Sequence, residues 1–118
     1  MKKILLIFII AIYGNIFAQS SPVAGTWRLE KVIANGQTHK VGQIMIFEND
    51  NDVIIAGNTK ADDQFYGTWN YKEAAKTITF YSPLKRSFNG NFPILKLTGK
   101  ELIIKMSNGD YYFTKRKR

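Results

Sequence analysis

Three acidic side chains at alternate positions are the residues of this sequence whose type and spacing could bind a metal ion. Glu48, Asp50 and Asp52 are separated by single residues, and hard cations such as Ca²⁺ prefer several carboxylate oxygens. The rest of a calcium-binding loop is missing, and the intervening residues are asparagines, which favour turns. We therefore interpret residues 48–52 as a polar hairpin turn and predict no metal site.

Two further groups have the chemistry of acids or bases. His39 is the single histidine and is predicted to lie in a solvated loop, since a catalytic or metal-binding role would need converging partners. Asp62 and Asp63 are adjacent, so on a strand they would point to opposite faces, and we interpret them as a turn. The sequence contains no nucleophile, phosphate-loop or dinucleotide motif. It predicts no catalytic residues, no cofactor and no enzyme.

The first residues have the layout of a secretory signal peptide. Lys2 and Lys3 precede an apolar run from Ile4 to Ile12, and Ala18 fits the last position before a cleavage site. The apolar run is well short of the roughly 20 residues that span a bilayer. We predict a cleaved signal peptide at residues 1–18, a single domain at residues 19–118, and a secreted or periplasmic protein.

The cysteine content and net charge of the chain limit the chemistry it can carry out and the partners it can bind. The chain has no cysteine, which excludes disulfides, a thiol nucleophile and a lipidated cysteine. Its 17 basic residues less Lys2 and Lys3 leave 15 against 9 acidic ones, a net charge of +6 for the mature chain. This balance favours an anionic envelope surface or a protein partner, and export argues against nucleic acid. The basic end, residues 115–118, is interpreted as a solvated tail.

The elements that must position these residues are strands. Gly25-Thr26-Trp27 and Gly67-Thr68-Trp69 each open a stretch of alternating apolar and polar residues. The second stretch predicts Phe65 and Trp69 on one face and Tyr66 on the other. Asn108-Gly109 predicts a type I′ hairpin turn, and residues 84–88 could form a short edge strand. Seven or eight strands with short turns predict an all-β, antiparallel up-and-down meander barrel.

Several of these segments resemble the lipocalin-like domain of small secreted bacterial proteins. The resemblance rests on residues 25–29, the Tyr66-Gly67-Thr68-Trp69 segment, and residues 94–98 leading into residues 101–104. It implies a calycin-type β-barrel that binds a small apolar molecule. It also implies that Trp27 plugs one end of the barrel and that Lys115 or Arg116 packs over its ring through a cation–π contact.

Function depends on whether the barrel is hollow. An eight-stranded barrel is just wide enough to be filled by side chains or to hold one small ligand. The first alternative is a binding protein for a small apolar or amphipathic ligand, in which Trp69→Ala should alter binding more than Tyr66→Ala. The second is a filled barrel that acts as an envelope interaction or inhibitor module through its basic, aromatic outer surface. In either case the protein is expected to be a monomer or a dimer. The predicted ligand-binding residues are Trp27, Phe47, Phe65, Trp69, Phe80 and Leu102.

Overall fold

The computed structural model describes residues 21–117, so the predicted signal peptide lies outside the described residues. Eight strands follow in chain order around a closed antiparallel barrel, and β8 pairs with β1. This confirms the predicted all-β meander. The strands are β1 Gly25–Ala34, β2 Gln37–Phe47, β3 Asp52–Ile55, β4 Gln64–Lys72, β5 Thr77–Tyr81, β6 Gly90–Leu97, β7 Glu101–Met106 and β8 Gly109–Lys115.

The connections alternate between two ends of the barrel because consecutive strands are antiparallel. We call one the closed end; it carries the N-terminal segment 21–24 and the turns at 48–51, 73–76 and 98–100. The other, the open end, carries the turns at 35–36 and 107–108 and the loops 56–63 and 82–89. Across the open end, the Ser107 hydroxyl donates a hydrogen bond to the Ser87 carbonyl at 3.1 Å.

Helical structure in the described part is limited to two 3₁₀ turns, Lys60–Asp62 and Arg86–Phe88. No helix among residues 21–117 is long and apolar enough to cross a membrane. The second turn occupies the region where a short edge strand was expected. The strand is replaced because Phe88 turns inward and is buried.

Two predictions about turns and strand limits were wrong. Asn35 and Gly36, with φ of 53° and 74°, have the two positive φ values of a type I′ turn. The Asn108-Gly109 hairpin forms, but there only Gly109 has positive φ, so it is not type I′. The tight turn at Asn35-Gly36 lets β2 begin at Gln37, which places His39 on a strand opposite Val32 and not in a loop.

A bulge in β1 decides which side chains enter the barrel. The pairing of β1 with β8 shifts by one residue between Leu29 and Lys31, leaving Glu30 as the extra residue. Trp27 and Leu29 are buried, and Val32 packs against the same core although it lies three positions further on. The bulge therefore keeps an apolar lining along the whole length of β1.

Candidate functional site

The closed end is sealed by Trp27. Its side chain is fully buried, and the indole Nε1 donates a hydrogen bond to the Val23 carbonyl at 2.8 Å. The Lys115 ammonium lies 4.5 Å from the centre of a Trp27 ring and donates to the Ala24 carbonyl at 2.9 Å. This confirms the expected contact for Lys115, which stabilises the plug through a cation–π interaction. Burial lowers the pKa of the Lys115 ammonium.

Glycine is required where the chain enters β1. Gly25 has φ of 136°, and a Cβ at this position would lie 2.3 Å from Lys115 Nζ. A larger residue would therefore displace the ammonium from the Trp27 ring as well as strain the backbone. The Gly-Thr-Trp entry and the basic residue on the last strand thus depend on one another.

Five of the predicted ligand-binding residues form the packed core of the barrel. Phe47 lies at the centre, with ring centroids of Trp69, Phe80 and Phe113 at 6.2, 5.8 and 5.9 Å. The Trp69 indole donates to the Glu48 carbonyl at 3.0 Å, so its polar atom is satisfied within the protein. Trp27, Phe47, Trp69, Phe80 and Leu102 are all buried. These side chains pack against one another in the closed half of the barrel, and among them Phe47 also borders a shallow surface depression beside Gly25 and Glu48.

Phe65 is placed on the outside of the barrel, contrary to its predicted facing. The pairing of β3 with β4 skips Tyr66 between the Val53–Gly67 and Ile54–Phe65 pairs. This bulge reverses the alternation, so Phe65 is 47% exposed while Tyr66 packs against the core. One extra residue in a strand is enough to exchange the two faces beyond it.

The open half of the barrel contains a cavity of about 490 Å³. None of the six predicted residues lines it. Its floor and walls are apolar and come from β1, β2, β3 and the 82–89 loop: Leu29, Val32, Met45, Ile55 and Phe88. Its mouth adds two exposed apolar residues, Val41 and Leu84, and the polar residues Gln43, Gln64, Tyr66, Lys85, Ser87 and Tyr111.

Polar groups in the cavity are few and separated from its apolar floor. Desolvation raises the pKa of the Tyr66 phenol, with a smaller contribution from Tyr111, so Tyr66 stays a neutral hydrogen-bond donor at physiological pH. The Gln43 amide donates to the Ile44 carbonyl at 3.1 Å. Lys85 is the single charged residue among those that line the cavity. An amphipathic molecule would find an apolar base and a polar, cationic mouth.

The acidic groups singled out from the sequence are engaged in turns. The carboxylate oxygens of Glu48, Asp50 and Asp52 come within 4.8 Å of one another, and Asp50 Oδ1 accepts the backbone N–H of Asp52 at 3.1 Å. In the 56–63 loop, Asp62 accepts from the Thr59 hydroxyl at 3.1 Å and Asp63 from the Gly57 N–H at 3.0 Å. The hydrogen bonds of Asp50, Asp62 and Asp63 thus stabilise the turns in which these residues lie.

The aromatic and basic surface expected near the C-terminus is largely taken up within the protein. Phe88 and Phe92 are buried, and Tyr111 lines the cavity. Lys115 lies over Trp27, and Arg116 Nη2 is 3.3 Å from a Glu30 carboxylate oxygen. At least two cations of the basic tail therefore have partners on the barrel itself.

A small closed barrel of eight antiparallel strands, plugged by a tryptophan at one end and hollow at the other, defines a calycin-type fold. The model of the lipocalin-like domain family matches residues 23–104. The chain therefore belongs to the lipocalin-like domain family.

Two solved structures from Bacteroides share this fold. A lipocalin-like protein from Bacteroides uniformis ATCC 8492 superposes with a TM-score of 0.60 at 17% identity, covering 81% of this chain and 100% of its own. An uncharacterized protein from Bacteroides eggerthii DSM 20697 superposes with a TM-score of 0.58 at 17% identity. The match covers 79% of this chain and 98% of that protein's chain. No curated protein matches the chain significantly.

Proposed function

We propose that this protein binds one small apolar or amphipathic molecule in the cavity at the open end of its barrel. The observation that carries the proposal is the cavity itself, whose volume of about 490 Å³ lies within the roughly 300–1,000 Å³ range of small-molecule sites. Its lining, an apolar floor with a few polar groups at the mouth, is also typical of such sites. The lipocalin-like fold typically serves binding, which favours a binding role over catalysis.

The lining suggests how such a ligand would lie. An apolar body would pack on Leu29, Met45 and Phe88, while a polar group would remain at the mouth near Tyr66 and Lys85. A ligand that is apolar throughout would leave these polar groups without partners, at a cost in affinity. The expectation that Trp69→Ala alters binding more than Tyr66→Ala is therefore reversed, since Tyr66 lines the cavity and Trp69 does not.

The test is a titration of the purified protein with a fatty-acid analogue that carries its own fluorophore, with stoichiometry measured by native mass spectrometry. We expect saturable one-to-one binding. Ile55→Trp should weaken it at least tenfold, because Ile55 lines the cavity and the larger side chain would occupy it. Ile54→Trp is the matched control, since Ile54 is the adjacent residue of β3 and does not line the cavity. Absent saturation in the wild type, or equal weakening by both variants, would refute the proposal.

We also propose that the protein acts outside the cytoplasm, released by cleavage after Ala18. The support is the order of basic, apolar and small residues in the first 18 positions. Intact mass measurement on cell fractions should find a chain beginning at Gln19 in the periplasm or medium. A chain that retains Met1–Ala18 in the cytoplasm would contradict it.

A further inference from the structure

Strand β2 has a long edge with no neighbouring strand. On one side, residues 37–40 and 43–47 of β2 pair with β1, but on the other side β3 pairs only with Met45, Ile46 and Phe47. Along residues 37–43 no strand within the described part of the chain occupies the other side. These residues present about 20 Å of strand edge beside the mouth of the cavity.

A comparable gap on the other side of the cavity is sealed. The first residues of β4, before Thr68, extend beyond the end of β5. There the 82–89 loop covers the edge: the Ser82 hydroxyl donates a hydrogen bond to the Tyr66 carbonyl, and Phe88 packs on the Tyr66 ring with centroids 5.0 Å apart. No loop among residues 21–117 forms such hydrogen bonds to β2 along residues 37–42, and at Gln43 the side-chain amide donates to the Ala56 carbonyl at 3.5 Å. Unlike the edge of β4 before Thr68, the edge of β2 along residues 37–42 is therefore not covered by hydrogen bonds from a loop.

The side chains along this edge indicate what would bind there. Lys40 faces outward beside Lys31 of β1, and residues 37–47 contain no acidic side chain. On the inner face, Val41 lines the cavity mouth and is 48% exposed. An extended segment on this edge would therefore meet positive charge on its outer side and an apolar surface on its inner side.

We propose that the free edge of β2, residues 37–43, is a docking site for an extended acidic peptide segment of a partner protein. The segment adds to the barrel as a further strand through main-chain hydrogen bonds. Its acidic side chains lie beside Lys40 and its apolar ones over Val41. A second copy of this chain fits less well, because its own edge would bring another Lys40 and Lys31 against the first pair. Lys40 and the kink at Gly42, with φ of 87°, protect the edge from self-pairing.

The experiment uses short synthetic peptides and the ligand-free protein. The probe alternates glutamate and valine over seven residues; one control replaces each glutamate with lysine, and another carries N-methyl groups at alternate amides. We expect saturable binding of the acidic peptide, with slower hydrogen exchange at the amides of residues 37–43. The lysine peptide should bind at least tenfold more weakly because Lys40 would repel its positive charges, and the N-methylated peptide because it lacks main-chain donors.

A pair of charge-reversal variants assigns the site. Lys40→Glu should weaken binding of the acidic peptide at least fivefold, while Lys72→Glu, an exposed lysine at the far end of β4, should change it less than twofold. Failure of the acidic peptide to bind, equal weakening by both variants, or exchange protection confined to another strand would overturn the proposal. Protection of residues 37–43 in a dimer without peptide would overturn it too. None of these outcomes tests the proposed binding of a small molecule in the cavity, which is measured separately.

Discussion

The Glu30 carboxylate joins the last strand to the first on the outer surface of the barrel. One oxygen is 2.7 Å from Arg28 Nη1. The other accepts a hydrogen bond from the Thr114 hydroxyl and lies 3.3 Å from Arg116 Nη2. The hydrogen bond from Thr114, aided by the two arginines against a smaller desolvation effect, lowers the pKa of Glu30 below its ordinary value of 4.5. Glu30, the bulge residue of β1, thus links β1 to the C-terminal strand where the barrel closes.

Glu30→Gln should reduce stability in a pH-dependent way. The lowered pKa means that the folded protein favours the ionised form, so its stabilisation is present above pH 4.5 and is lost as the pH falls through the folded-state pKa. Because the group is partly solvated, the difference at pH 7 should be no more than about 1 kcal/mol. Urea unfolding at pH 7 and at pH 3 measures it; Glu73→Gln, in an exposed turn, is the control. A difference that persists at pH 3 would contradict this account.

Among the connecting elements, the 82–89 loop is the one that completes the cavity. It contributes Leu84, Lys85, Ser87 and Phe88 to the lining and stacks Phe88 on Phe80 at 4.1 Å. Ser82 is its anchor: it is buried, its hydroxyl bonds the Tyr66 carbonyl, and the Leu84 N–H donates back to that hydroxyl at 3.1 Å. The buried Ser82 hydroxyl therefore helps to fix the position of the loop that lines the cavity.

Ser82→Ala should destabilise the protein by about 1–3 kcal/mol, because it leaves the buried Tyr66 carbonyl and the Leu84 N–H without this partner. Equilibrium urea unfolding gives the value. Ser107→Ala removes an exposed hydrogen bond to the same loop and should cost less than about 0.5 kcal/mol. Equal losses in the two variants would show that Ser82 does not anchor the loop.

On the scale of the whole molecule, the barrel is filled in one half and hollow in the other. The aromatic rings around Phe47 supply the packed half, while the cavity lining consists mainly of aliphatic and small polar side chains. The packing that stabilises the barrel and the proposed ligand site thus lie at opposite ends. Substitutions in the aromatic cluster should unfold the protein, whereas those at the cavity mouth should leave it folded.

Phe47→Ala should lower the free energy of unfolding by about 3–5 kcal/mol, as expected for a fully buried phenylalanine. Leu84→Ala should change it by less than about 0.5 kcal/mol, since Leu84 is 68% exposed at the cavity mouth. Chemical denaturation of both variants tests the division. A small loss for Phe47→Ala would mean that the closed half is not the source of stability.

The fold was predictable because alternation and turn residues are local signals. The strands at the two Gly-Thr-Trp segments follow from short stretches of sequence, and the packing of Lys115 on Trp27 follows from the family resemblance. Trp27, Phe47, Trp69, Phe80 and Leu102, which were predicted from the sequence to be ligand-binding residues, are buried in the core. Large apolar residues can fill the interior of a small barrel as readily as they can line a cavity in it.

The cavity could not be predicted from the sequence, for two physical reasons. The bulge at Tyr66 reverses the facing of Phe65, and no residue type at this position announces it. The empty volume depends on how side chains from β1, β2 and β3 meet a loop that is distant in sequence. Alternation predicts which face a residue occupies but not what remains unfilled between faces.

The burial of both tryptophans in the closed half has a spectroscopic consequence. Trp27 and Trp69 are the two indoles of the chain, and each donates its N–H to a backbone carbonyl at that end. Their fluorescence emission should therefore be blue-shifted and should report global unfolding. A ligand that binds in the cavity at the open end should change this emission little. The protein contains its own denaturation probe, spatially separated from its cavity, so one sample can yield a melting curve and a ligand isotherm without either signal corrupting the other.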